Sequence, residues 1–121
     1  MRRQHRLTRG RQFQEVRRHG RSWSHTLLVL VALHNDLPYS RFGFLVGKRI
    51  GKAVARNRAK RRMREAVRSR LATVSPGWDL VLIARTPIAE ANFSSIKVAL
   101  DSLLEQAGLL SELPNAADIA K

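Results

Sequence analysis

Residues 47–70 read GKRIGKAVARNRAKRRMREAVRSR. From Ala53 to about Leu71 this stretch holds no Pro or Gly and is rich in Ala, Arg, Lys and Met, which enter a helix at little cost, so it predicts an α-helix. Placed at about 100° per residue, Ala59, Met63 and Ala66 fall on one side, with Val67 and Leu71 at its edges. Asn57, Arg61, Arg64 and Arg68 stack on the opposite side at i, i+4, i+7 and i+11. Lys60 lies beside them, and Arg56, Arg58 and Arg62 occupy the flanks. The apolar stripe is narrow and built of small side chains, which suits packing on a sheet and is poor for insertion into a bilayer. The flanking sequence must therefore supply that sheet.

Upstream, Leu7, Phe13 and Val16 recur at near-helical spacing and Gly20 follows, so Thr8 to His19 reads as a first helix with Thr8 as its N-cap. Ser22 to His34, with its unbroken apolar centre from Leu27 to Leu33, reads as a buried strand. After turn chemistry at Asn35 to Pro38, Tyr39 to Lys48 alternates Phe42, Phe44 and Val46 against Arg41, Gly43 and Leu45, as an antiparallel strand would. These two strands are expected to pair as one long hairpin. Downstream, Trp78 to Ala84 reads as a short apolar strand closed by Thr86 and Pro87. A last helix, capped by Asn92 or Ser94, carries Ile96, Ala99, Leu100, Leu103, Leu104 and Ala107 on one face and ends at Gly108. The expected class is α+β, helices layered over a small sheet, with residues 1–110 as one domain and 111–121 as a loose tail.

Charge sets the class of partner. The 121 residues carry 23 Lys and Arg against 9 Asp and Glu, a formal net charge of +14. Residues 1–70 hold 20 of those cations and only Glu15, Asp36 and Glu65 as acids, whereas residues 71–121 are acidic on balance. Such concentrated charge repels itself in the folded chain, and a polyanion is the partner that relieves it. Cysteine is absent, which removes disulfides and thiolate metal sites and fits a reducing, cytoplasmic setting. The longest apolar run, Leu27 to Leu33, is far short of the roughly 20 residues a membrane helix requires.

The helical stripe narrows the partner further. A row of guanidinium groups at one-turn spacing offers forked donors to successive phosphates, which a row of Lys contacts less specifically. Asn57 adds a neutral amide that both donates and accepts, suited to a base edge, a ribose hydroxyl or a metal-bound water. Basic helix faces are often merely solvated and paired with acids. Here Glu65 is the one acid against nine Lys and Arg between Lys52 and Arg70, so pairing along the helix cannot neutralise the row.

The same stretch resembles the signature of the bacterial ribonuclease P protein subunit, a motif of the form K-x-G-x-A-V-x-R-N-R-x-K-R-x-x-R-E. It appears without a gap from Arg49, where many relatives have Lys, through Gly51, Ala53, Val54, Arg56, Asn57, Arg58, Lys60, Arg61, Arg64 and Glu65, with Lys52 where some relatives have Asn. The similarity extends to Arg6, Leu7, Phe13, Val16 and Gly20 and to the strand around Leu82–Arg85, covering about residues 5–108. It implies a two-layer sandwich of a small mixed sheet with three helices in α-β-β-β-α-β-α order, ribosomal protein S5 domain 2-like, with a left-handed crossover. It further implies a subunit that binds a large catalytic RNA and precursor tRNA and assists endonucleolytic removal of the 5′ leader. In that family the RNA performs the hydrolysis with magnesium ions, and the protein carries neither catalytic residues nor a tightly held cofactor. Arg49, Lys52, Arg56, Asn57, Arg58, Lys60, Arg61, Arg64 and Arg68 are the RNA-binding residues so implied, and Phe13, Arg17, Val31 and Phe44 the leader cleft. Arg17 and Val31 stand where relatives often place aromatics, so base stacking should be weaker here, with charge in its place.

Two other readings are weighed against this one. His5, His19, His25 and His34 follow no metal-ligand spacing and have three carboxylates in the first 70 residues to orient them, which disfavours a histidine nuclease. A non-catalytic ribosomal protein would share the size and the charge and remains the alternative. Oligomeric state is left open.

Overall fold

A computed structural model describes residues 3–110. In chain order it contains helix α1 (Gly10–His19), strands β1 (Arg21–Ser24), β2 (Leu28–His34) and β3 (Arg41–Leu45), helix α2 (Ala53–Arg68), strand β4 (Trp78–Ala84) and helix α3 (Phe93–Gln106). The four strands form one mixed sheet in the order β1-β2-β4-β3, with β3 parallel to β4 and the other pairs antiparallel. The expected tail, 111–121, lies outside the described residues.

Two strand expectations need correction. Residues 22–34 are two strands, not one: the His25 amide donates to the Leu28 carbonyl at 2.9 Å and the Leu27 amide to His25 Nδ1 at 3.0 Å, turning the chain into a β1–β2 hairpin. Nor do β2 and β3 pair with each other, because β4 sits between them. Every residue of Leu80–Leu82 is almost wholly buried, and so continuous an apolar strand belongs in the middle of a sheet covered on both faces. The link from β2 to β3 therefore passes across the start of β4 and is pinned there. Asn35 Nδ2 donates to Asp79 at 2.8 Å, and the Arg41 guanidinium grips the Asp79 carboxylate through two bonds of 2.8 and 2.6 Å. Ser40 Oγ donates to the Ser75 carbonyl and accepts from the Trp78 amide.

Alternation along the strands divides the side chains between two faces. Leu28, Leu30, Ala32, Phe42, Leu80 and Leu82 meet Ala59, Met63, Ala66 and Val67 of α2 and Ile96, Ala99, Leu100, Leu103 and Leu104 of α3. The apolar faces read from the sequence for both helices are thus the buried ones. On the opposite face α1 closes a smaller cluster, in which Val16 and Leu7 cover Val31 and Val81.

Helix ends show how the elements are aimed. Residue Leu7 donates its amide to the Phe42 carbonyl, so the chain is still extended along β3 at that point and α1 begins only at Gly10. Arg9, not Thr8, occupies the N-cap, and the Gln12 side chain reaches back to accept from the amides of Thr8 and Arg9. Asn92 caps α3 by accepting from the Ser95 amide at 2.8 Å, and Gly108, at φ 73°, ends it. Arg70 binds Asp101 through bonds of 2.7 and 2.6 Å and ties the end of α2 to α3.

Candidate nucleic-acid interface

Helix α2 is launched by a tight 3-10 turn, Lys48–Ile50, whose Ile50 is buried and fixes the turn on the core. Gly51 follows at φ 142°, a backbone conformation open to glycine, and redirects the chain into the helix. Lys52 is the N-cap and its side chain makes no capping bond, and there is no acid in the first turn. The amides of that turn thus add partial positive charge to a face that is already cationic.

Arg49, Lys52, Asn57, Arg58, Lys60 and Arg61 are all exposed, and their side chains make no hydrogen bond or ion pair among the described residues. No carboxylate from elsewhere in the described fold reaches them. The remaining cations have been allotted other tasks. Arg68 pairs with Glu65 at 3.4 Å, Arg62 donates to the Ala91 carbonyl at 2.7 Å, and Arg70 holds α3. Arg56 and Arg64 are half-buried, and each has an Nε atom shielded from solvent with no partner among the described residues. A shielded donor without an acceptor is costly.

Arg64 departs from the outward row read on the helical wheel. Its guanidinium carbon lies over the Phe44 ring, 5.9 Å from the centroid, a cation–π placement that turns it toward the sheet edge. There it lines a cavity of about 120 Å³ together with Lys60, Phe44, Phe42, Gly43, Phe13 and Leu7. Gly43 makes this cavity. A Cβ atom there would lie 2.4 Å from Cε1 and 2.6 Å from Cζ of Phe13, so the Phe13 ring edge abuts bare backbone.

Of the four expected cleft residues, the structure brings Phe13 and Phe44 to this one cavity. Arg17 is exposed one helical turn beyond Phe13. Val31 needs correction: at 5% exposure it is packed under Val16, leaving no surface on which a base could stack. Phe42 and Gly43 were not singled out for the cleft. The signal for Gly43 was present, since a glycine between two aromatics in a strand marks a close approach.

Acidic groups are dispersed through the fold. Asp79 is held by Arg41, Asp101 by Arg70, Glu65 lies beside Arg68, and no group of three His, Asp or Glu placed to hold a metal occurs among the described residues. No helix among the described residues is long and apolar enough to cross a membrane.

Comparison with known proteins converges on one family. The ribonuclease P family profile matches residues 1–108. The ribonuclease P protein component of Roseiflexus castenholzii is 46% identical over 95% of this chain and 98% of its own length. That of Geobacillus thermodenitrificans is 37% identical over 99% and 100%. Among solved structures, the ribonuclease P protein of Staphylococcus aureus superposes with a TM-score of 0.82 at 27% identity, over 88% of this chain and 98% of that one. The Thermotoga maritima protein does so with a TM-score of 0.77 at 31% identity, over 84% and 96%. With the uninterrupted Arg-Asn-Arg motif on an exposed helix and the matching three-helix, four-strand fold, this chain belongs to the ribonuclease P protein-component family.

Proposed function

We propose that this chain, as the protein subunit of ribonuclease P, holds the catalytic RNA on the exposed face of α2 and the 5′ leader of precursor tRNA in the adjoining cleft. The carrying observation is the group Asn57, Arg58, Lys60 and Arg61, exposed and without an acidic partner among the described residues, next to a cavity walled by Phe13, Phe44 and Arg64. Guanidinium forks bind phosphates in two-pronged fashion, and the Asn57 amide reads what phosphate contact cannot: a ribose hydroxyl or a base edge. Arg49, Lys52, Arg56 and Arg68 extend the same face along α2 and its entry turn.

In the cleft, Phe13 and Phe44 supply aromatic surface for an unpaired base, and Lys60, Arg64 and Arg17 supply charge for the backbone. With Val31 buried and Arg17 in place of an aromatic, leader affinity depends more on ionic contacts than on stacking. The hydrolysis belongs to the RNA, as do the magnesium ions. The chain contributes position and positive potential, which lower the cost of bringing two polyanions together. Residues 1–110 act as the RNA-binding domain, in the cytoplasm.

The test is reconstitution of the purified chain with bacterial ribonuclease P RNA and precursor tRNA at low magnesium. Leader removal is expected to rise several-fold over RNA alone. Absence of stimulation overturns the assignment.

A further inference from the structure

The sheet has a second basic helix on its other side. In α1, Val16 is fully buried while Phe13 and Gln12 are half-buried at its flanks, so positions 11, 14 and 18, spaced i, i+3 and i+7, face away from the sheet. Arg11, Gln14 and Arg18 occupy them, all exposed, and their side chains have no hydrogen bond or ion pair among the described residues. The one acid of α1, Glu15, lies 3.7 Å from His19 and pairs with neither arginine. Cations around a neutral amide thus recur here in the pattern seen on α2.

The two rows lie on opposite faces of the sheet, although Phe13 of α1 and Lys60 and Arg64 of α2 meet at the cavity beside β3. Helix α2 packs on the sheet face that carries Leu80 and Leu82, and α1 on the face that carries Val31 and Val81. With a helix about 10 Å across and packed layers about 10 Å apart, the outer surfaces of α1 and α2 are separated by roughly 30 Å and look in opposite directions. We propose that the outer face of α1, through Arg11, Gln14 and Arg18, binds the backbone of a second, double-helical segment of the ribonuclease P RNA, so that the chain bridges two segments of that RNA.

Double-helical RNA is the occupant because the row has no aromatic side chain. Single strands are gripped by stacking, whereas duplex RNA presents phosphates and ribose hydroxyls to charge and amides. The ribonuclease RNA is favoured over the tRNA body on electrostatic grounds. Substrate leaves at every turnover, but the self-repulsion of the α1 face persists, and a permanent polyanion offsets it. The inference rests on the function proposed above.

Because the chain has no cysteine, single cysteines report position without interference. In the assembled complex, hydroxyl-radical cleavage from an iron chelate on Glu15→Cys is expected to fall in a helical segment distinct from that cut from Arg58→Cys. Binding to the RNA alone, measured against salt, should lose about two units of slope in the Arg11→Gln/Arg18→Gln variant and keep its slope in Arg11→Lys/Arg18→Lys. Both variants change exposed helical positions to good helix formers, so the fold is retained. An unchanged slope for the Gln variant, coincident cleavage from the two probes, or a slope change seen only with precursor tRNA present overturns the bridge. If wild-type chain stimulates leader removal while the Gln variant binds RNA as wild type does, the bridge alone fails; if wild type neither binds nor stimulates, both readings fail.

Discussion

Gly43 shows how much one missing side chain decides. Phe13 reaches the cleft only because β3 offers bare backbone beneath it, with Leu7 alongside. In Gly43→Ala the new methyl group must displace the ring, since a contact of 2.4 Å is not tolerated, and overpacking of this kind costs about 1–3 kcal/mol. Denaturant unfolding of this variant is expected to show that loss, and its affinity for single-stranded leader should fall while RNA binding through α2 persists. Arg64 makes the complementary point. The wheel places it in the outward row, yet its guanidinium settles over Phe44, since the long aliphatic stem lets the head reach a ring that no period-based reading can see.

At the scale of the element, α2 divides its cations by task. Arg62 and Arg70 are bound to Ala91 and Asp101 and tie α2 to α3 and the segment before it, although in sequence they are indistinguishable from Arg58 or Arg61. Hydrogen bonding to Asp101, opposed by burial, raises the Arg70 pKa above its ordinary value. A raised value for a cation means that its contribution to stability is present throughout the neutral range and is lost only as pH climbs through that raised value. Changing Arg61 and Arg64 together to Ala is expected to weaken RNA binding and to flatten its salt dependence by about one unit of slope per lost phosphate contact. Titration of RNA binding against salt checks this, and an unaltered slope would mean that the row faces only solvent. The strands were read less well than the helices. Alternation in Arg41–Leu45 reveals two faces but not the partner, so β3 was assigned to β2 when it lies parallel to β4.

For the whole molecule, the decisive quantity is a formal net charge of +14. Self-repulsion of that size is screened within a Debye length, about 10 Å at 0.1 M salt. Thermal unfolding should therefore shift to higher Tm as monovalent salt rises from about 0.01 M to 0.15 M, whereas ordinary small domains near neutrality respond little. A Tm that falls over this range would mean that attractive ion pairs outweigh the repulsion. By itself the sequence determined the class of partner, the two sheet-covering helices and the residues of the α2 face, because charge balance, helical period and caps are local properties. Tertiary structure alone decided that β4 separates β2 from β3, that Val31 is sealed beneath Val16, and that Arg64 turns inward while Arg61 stays free. These outcomes depend on which distant segments share a face, and strand order and burial are set by the packing of the whole chain rather than by any stretch of it.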